Sequence, residues 1–170
     1  MTRMRFGLIH MWFVFAMAVC AIAPAWASNW LLVGDNIDKT TTRFVNKDNI
    51  RRDGNRIGYW EARVSIKEHR ACDMSVVYVE GDCRANRYRL TDYECIKFGE
   101  KTVKGNYGTD WLIPRERSLS GAALKLACSE RAVREWPDIA FDSPDLMIQA
   151  VQNVLKKARE KERQARGTPF

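Results

Sequence analysis

Four cysteines constrain the fold of this chain more than any other feature of its sequence. Cys72, Cys83, Cys95 and Cys128 all follow an N-terminal segment, residues 1–27, that is typical of a secretory signal peptide. Because compartments outside the cytoplasm are oxidising, an even number of cysteines in an exported chain indicates disulfide bonds. We therefore expect a small domain that is cross-linked by two disulfides.

The predicted signal peptide has the three parts that export requires. Two arginines near the start precede an apolar run over residues 6–22, and Ala25-Trp26-Ala27 favours cleavage before Ser28. Two alternatives stay open: a retained membrane anchor, since the run almost spans a bilayer, and a lipoprotein acylated on Cys20. Cleavage would remove two arginines and so lower the net charge from +7 to +5.

The segment from Trp30 to about Ile113 has the pattern of an antiparallel sheet. Short β-type runs alternate with turn residues, and Asp53-Gly54 is a strong hairpin signal. Beyond that turn, residues 60–66 alternate between apolar and polar, which is typical of a strand with one solvated face. Runs of strands without intervening helices predict a curved antiparallel meander of about six strands.

Helical spacing appears only after Pro114. Residues 118–136 predict one helix that ends at Pro137, and Ser143 is positioned to cap a second helix that reaches about Arg166. The second helix carries an apolar stripe at Leu146, Ala150, Val154 and Ala158, joined by Met147, Val151 and Leu155. This helix either packs on its own sheet or binds a partner or a membrane surface.

The sequence thus predicts an α+β fold in which a helix packs on the sheet and a C-terminal helix follows it. We expect residues 28–130 to form a β-rich domain and residues 131–170 to form a helical C-terminal extension.

A hairpin explains why Cys83 lies in a polar and basic turn. If the strands on either side of residues 81–86 pair, opposite residues have numbers that sum to about 167, so Cys72 faces Cys95. The Cα atoms of opposed residues lie about 4.5–5.5 Å apart, which a disulfide can bridge. Cys83, at the tip of the hairpin, is then left to pair with Cys128.

Several motifs occur in an order that belongs to a known family. They are Trp30, Tyr59-Trp60, Asp82-Cys83, Tyr88-Arg89, the segment from Trp111 to Pro114, and Cys128. Over residues 29–129 this set resembles the surface-adhesin protein E-like domains of Gram-negative bacteria. The chain departs from the family at Asn46, where an aspartate is common, and in the additional cysteines Cys72 and Cys95.

The resemblance implies a curved antiparallel sheet with a helix packed on it. It also implies a location in the periplasm or at the outer-membrane surface, and binding to host proteins such as laminin, vitronectin or plasminogen. The resemblance ends near residue 129, so it implies nothing about the C-terminal helix.

The sequence favours a binding function over a catalytic one. Its candidate binding surface is Arg84, Arg87, Tyr88 and Arg89, which Lys97, Lys101 and Lys104 extend. Arginine and tyrosine are common at interface hot spots, although the same residues could simply solvate a strand. We expect a protein partner, with host matrix and serum proteins as the candidate class; an anionic glycan or lipid also fits the positive charge, and nucleic acid is not expected.

We expect neither enzymatic activity nor a cofactor or metal. His69 is the only histidine after the signal and is predicted to be an exposed loop residue, and no C-x-x-C pair favours zinc over disulfides. Asp92 and Glu94 share one face of a strand, as exposed acids often do. An alternative function is a periplasmic structural or accessory protein that docks its C-terminal helix on a partner. A secreted inhibitor would need an inserted loop, for which residues 101–110 are the candidate.

Overall fold

The computed structural model describes residues 28–66 and 71–167. The predicted signal peptide and His69 therefore lie outside the described residues. The strands are β1 (Ser28–Asp35), β2 (Thr41–Asn46), β3 (Arg51–Asp53), β4 (Arg56–Ser65), β5 (Met74–Asp82), β6 (Arg87–Ile96), β7 (Val103–Asn106) and β8 (Asp138–Phe141). The helices are α1 (Leu119–Cys128), α2 (Glu130–Glu135) and α3 (Pro144–Gly167).

These strands form one antiparallel sheet, which confirms the predicted α+β class. Its order is β7-β6-β5-β4-β2-β1-β8, and the short β3 pairs with β4 beside this path. The described residues contain eight strands, so the prediction of about six is wrong. One additional strand is β8, for which the sequence between Pro137 and Ser143 gave no prediction.

The C-terminal segment belongs to the same structural unit as the sheet. β8 pairs with β1, with Trp30 opposite Ile139, and α3 packs on the core. Both elements lie within residues 131–170, the predicted C-terminal extension, so this segment adds a strand to the sheet and covers part of one face. A four-residue strand is too short to show a clear alternation of apolar and polar residues, which is why β8 was missed.

One helix covers part of each face of the sheet. α1 packs on a cluster formed by Leu31, Val45, Ile57, Tyr59 and Val79, together with its own Ala123, Leu124, Leu126 and Ala127. α3 packs on the opposite face against Trp30, Phe44, Ala62, Val64, Met74, Val76 and Ile96. The second helix therefore packs on its own sheet, one of the two predicted arrangements.

The buried stripe of α3 differs from the predicted one. Met147, Ile148, Val151 and Leu155 are buried, whereas Leu146 and Val154 are 51% and 65% exposed. The predicted N-terminal cap is present, because the hydroxyl of Ser143 accepts a hydrogen bond from the amide of Leu146 at 3.2 Å.

The predicted solvated face of β4 is instead covered. Glu61 is only 2% exposed and lies between Arg43, at 3.1 Å, and Arg63, at 2.9 Å. Arg43 also donates to the hydroxyl of Ser120 in α1 at 2.7 Å. Burial lowers the pKa of Arg43 and raises the pKa of Tyr59. The sequence pattern missed this arrangement because an acid paired with arginines can be buried like an apolar residue.

The single helix predicted over residues 118–136 is broken at Ser129. This residue has extended backbone angles, with φ −95° and ψ 105°, and its hydroxyl accepts a hydrogen bond from the amide of Ala132 at 3.1 Å. Ser129 thus ends α1 and caps α2, because a serine hydroxyl competes with the helix for backbone amides.

The structure joins Cys72 to Cys95 and Cys83 to Cys128, with Cα–Cα distances of 5.3 and 5.7 Å. This pairing agrees with the predicted one, but the register that led to it is wrong. Cys95 is opposite Ser75, and Cys72 precedes β5. Next to the turn Asp82 is opposite Arg87, so opposed residues already sum to 169 and not 167, and a β-bulge between Val77 and Val79, where β6 contains one more residue than β5, raises the sum to 170.

Candidate functional site

The part of the sheet that α3 leaves uncovered lies at the turn end of the β5–β6 hairpin. Two rows of directly opposed residues cross four strands there: Asp53, Arg56, Asp82 and Arg87 in one, and Arg51, Gly58, Glu80 and Arg89 in the other. Side chains of opposed residues point to the same face of a sheet. These two rows, with Tyr78 and Trp111, are called the arginine–tryptophan surface below.

In each row an acid of β5 lies opposite an arginine of β6, and the resulting ion pairs orient these two arginine side chains. Arg87 pairs with Asp82 at 3.3 Å, and the Nε of Arg89 donates to Glu80 at 2.7 Å. The backbone amide of Ala85, which donates to Asp82 at 2.9 Å, is the main cause of a lowered pKa for Asp82, and the hydrogen bond from Arg87 adds to it. The carboxylates therefore orient the guanidinium groups but do not cover them.

Three of these arginines surround one indole ring. The guanidinium carbons of Arg87, Arg89 and Arg56 lie 4.8, 5.2 and 5.3 Å from the centroid of Trp111, within the range of cation–π attraction. Trp111 is held there because the next residue, Leu112, exchanges two backbone hydrogen bonds with Tyr88, at 2.7 and 2.9 Å. The three cations and the ring thus form an ordered group before any ligand binds.

A shallow cleft of about 280 Å³ adjoins this group. Its lining residues include Gly58, Arg51, Arg56, Tyr78 and Glu80. A Cβ atom at residue 58 would lie 2.1 Å from the hydroxyl oxygen of Tyr78, so glycine is required for the tyrosine to lie across the strand. The cleft presents both a phenol and guanidinium groups to a ligand.

The structure does not bring the four predicted binding residues onto one surface. Arg87 and Arg89 belong to the arginine–tryptophan surface, whereas Tyr88 points to the other face and packs beside the α1 cluster. Arg84 is exposed in the turn. Consecutive residues of a strand alternate between faces, so the run that looked continuous in the sequence is divided by the sheet.

The lysines that were expected to extend the patch lie at the far end of β6. Lys104 pairs with Glu94 at 2.7 Å, and Lys97 lies 3.8 Å from Glu100. Lys97 and Lys101 line a separate depression beside the Cys72–Cys95 disulfide. They therefore do not extend the arginine–tryptophan surface.

Asp92 and Glu94, which were predicted to share one face of a strand, have different environments. Glu94 is 5% exposed, whereas Asp92 is exposed and accepts a hydrogen bond from Asn106 at 3.3 Å.

Sequence reasoning missed Arg56, Glu80 and Trp111 as members of the surface. Arg56 lies two residues after Gly54 of the Asp53-Gly54 turn, and the alignment of β4 with β5 would have placed it opposite Asp82. Trp111 lies outside the strands, and no sequence pattern indicates that it folds back over β6.

Among residues 28–66 and 71–167, no group of three or more histidine, cysteine or acidic side chains could hold a metal ion. None of the helices in this part of the chain is long and apolar enough to cross a membrane. The two disulfides indicate an oxidising environment outside the cytoplasm.

Comparisons with protein-family models, with curated proteins and with solved structures find no match to this chain. The resemblance to the surface-adhesin protein E-like domains stays a prediction.

Proposed function

We propose that this protein is an adhesin-like binding module of a Gram-negative cell envelope, in the periplasm or at the outer-membrane surface. Its arginine–tryptophan surface binds a partner protein, and host matrix or serum proteins are the class that the resemblance implies. The observation that carries the proposal is the stacking of Arg56, Arg87 and Arg89 on Trp111 where no helix covers the sheet.

This arrangement suits binding because its arginine side chains are already largely ordered in the free protein. Immobilising a flexible side chain costs about 0.5–1.5 kcal/mol on association. Ion pairs and ring contacts already restrict Arg87 and Arg89 in the free protein. Arginine and tryptophan are also the residue types most often found at the energetic centre of interfaces.

The charge of the surface favours an acidic partner. The surface contains four arginines and three acids, and the exposed Arg84 lies in the adjoining turn; the three acids are Asp53, Glu80 and Asp82. The surface therefore has a positive excess that steers association with carboxylate-rich or sulfated regions.

The experiment compares two variants with the same change of charge. Arg87→Ala/Arg89→Ala removes two members of the surface, and Arg131→Ala/Arg134→Ala removes two exposed arginines of α2. Binding of the mature protein to immobilised vitronectin, laminin and plasminogen is measured at several salt concentrations. We expect a loss of about tenfold or more for the first variant and little change for the second.

Equal binding by both variants, or no binding of the unmodified protein to any of the three ligands, would contradict the proposal. Protease treatment of intact cells separates the two locations: digestion before rupture of the outer membrane supports the surface, and digestion only after rupture supports the periplasm.

An accessory protein that docks through its C-terminal helix has less support. The main apolar stripe of α3, which includes Met147, Val151 and Leu155, is buried against the protein's own sheet.

A further inference from the structure

β8 ends the sheet on the side opposite β7, and one of its edges faces no other strand of the described residues. Asp138, Ile139 and Ala140 are all exposed. The backbone donors and acceptors on that edge are a template for pairing with another extended chain. An edge alone identifies no ligand, so the side chains beside it decide the argument.

An apolar groove of about 270 Å³ lies between α3 and the part of the sheet formed by β8, β1 and β2. Its lining includes Leu32, Ile139, Phe141, Ala150 and Val154. Ile139 is 41% exposed and Val154 is 65% exposed, so apolar surface on both sides of the groove is accessible to a ligand.

The groove lies on the side of β8 to which Ile139 and Phe141 both point. Phe141 contacts Phe44 edge to face at 6.2 Å, and Ile139 is opposite Trp30, so both side chains lie on the α3 side of the sheet. A strand added to β8 would direct every second side chain to the same side. Two of its side chains could therefore reach the β8 side of the groove, beside Ile139 and Phe141, while its backbone pairs with β8, as in recognition by strand addition.

The charges at the ends of β8 distinguish between possible occupants. Asp138 begins β8, and Asp142 follows its last residue. If two copies of the protein paired antiparallel about Ala140, Asp138 of one copy would oppose Asp142 of the other, and like charges directly opposite are destabilising. Lys47 neutralises part of the charge of Asp138, at 2.9 Å, but Asp142 makes no ion pair with a described residue. A partner with cationic side chains at these positions fits better than a second copy.

We propose that the β8 edge binds an extended segment of another protein, in which two apolar side chains at alternate positions are flanked by basic residues. The backbone of the segment pairs antiparallel with Asp138–Phe141, its apolar side chains reach the β8 side of the groove, and a basic side chain lies beside Asp142. This site is separate from the arginine–tryptophan surface and does not depend on the function proposed for it.

The probe is a labelled synthetic peptide, Ser-Lys-Val-Thr-Val-Lys-Ser, titrated with the mature protein and followed by fluorescence anisotropy. One control peptide has proline in place of threonine, which removes a backbone donor, and another has glutamate in place of both lysines. We expect saturable binding of the probe and binding about tenfold weaker or worse for each control.

Two protein variants test the location of the site. Val154→Glu introduces a charge into the groove, whereas Leu146→Glu introduces the same charge at an exposed position of α3 outside the lining. We expect Val154→Glu to weaken binding about tenfold or more, because an acid in an apolar groove is desolvated. Leu146→Glu should bind like the unmodified protein, and so should Arg87→Ala/Arg89→Ala.

Absence of saturable binding, or equal binding by the Val154→Glu and Leu146→Glu variants, would overturn the proposal. A dimer in sedimentation equilibrium that Val154→Glu dissociates would also overturn it, because a second copy would then be the occupant of the edge. Loss of peptide binding in Arg87→Ala/Arg89→Ala would place the peptide on the other surface.

Discussion

The two faces of the sheet are covered in different ways. α1 has 10 residues, and the disulfide between Cys83 and Cys128 ties its last residue to the hairpin turn. α3 has 24 residues, and none of its described residues takes part in a disulfide. The short helix is therefore held by its buried apolar face and by a covalent bond, whereas the longer helix is held by burial of its apolar stripe alone.

The layers beneath the two helices differ as well. Glu61, Arg43 and Ser120 form a polar network under α1. Under α3 the contacts are mainly apolar, and Gln152 donates to the carbonyl of Ser65 at 3.0 Å. Burying an ion pair has a desolvation cost that apolar contacts avoid, so the α1 face combines apolar contacts with a polar network and a covalent bond. Four experiments test this comparison.

The largest effect is expected where the α3 face loses its apolar contacts. Met147→Ala/Leu155→Ala should lower the free energy of unfolding by about 6 kcal/mol, because each buried truncation costs about 3 kcal/mol and the sites are two turns apart. Urea unfolding measures the loss. The matched control Leu146→Ala/Val154→Ala, at exposed positions of the same helix, should cost less than about 1 kcal/mol. Similar losses for both variants would show that α3 is not held by its buried stripe.

The next largest effect concerns the covalent bond on the α1 face. Cys83→Ser/Cys128→Ser opens a connection between residues 45 apart and should cost roughly 4 kcal/mol. Cys72→Ser/Cys95→Ser opens a separation of 23 residues and should cost roughly 3 kcal/mol. Hydrogen exchange should accelerate in α1 more than in α3 for the first variant only. Equal acceleration of hydrogen exchange in α1 and α3 would contradict the conclusion that the covalent bond holds α1 in particular.

A smaller effect is expected from the polar network under α1. Glu61→Ala should cost about 3 kcal/mol, because it leaves the buried Arg43 without its acid, while the partly exposed Arg63 can turn to solvent. The control is Glu80→Ala, which removes the partner of Arg89 on the open surface and should cost less than about 1 kcal/mol. If the two losses were alike, Glu61 would contribute no more than a surface acid.

The smallest effect concerns acid sensitivity on the uncovered part of the α3 face. The pKa of Asp82 is held below 3.8, mainly by the amide of Ala85 and then by Arg87. The resulting stability is present above the unfolded pKa and is lost as the pH falls through the folded pKa. Asp82→Asn should therefore make the free energy of unfolding depend less steeply on pH in the acidic range. An NMR titration that finds an ordinary pKa for Asp82 would contradict this.

The sequence predicted the features that depend on local chemistry. The Asp53-Gly54 turn marks the β3–β4 hairpin, Ser143 caps α3, and the cysteine pairs agree with the predicted ones. Turn residues and helix caps act over short stretches of chain. Disulfides follow from the presence of cysteines in an oxidising compartment. A single sequence therefore reveals both kinds of feature.

Features that depend on tertiary contacts were not predictable. The β5–β6 register shifts at a bulge, and the bulge has no glycine to mark it. Glu61 is buried because Arg43, from another strand, and Ser120, from a helix, approach it. Trp111 joins the candidate site only because its segment folds over β6. In each case the decisive neighbour is distant in sequence.

The two disulfides alternate along the chain, since Cys83 lies between Cys72 and Cys95, and Cys128 lies beyond them. A single proteolytic cut at any peptide bond between Cys72 and Cys128, including the exposed bond after Arg84, leaves both fragments covalently attached to each other. Outside the cell, where proteases are abundant and reductants are scarce, a nicked molecule would stay whole and would come apart only after a thiol had opened its bridges.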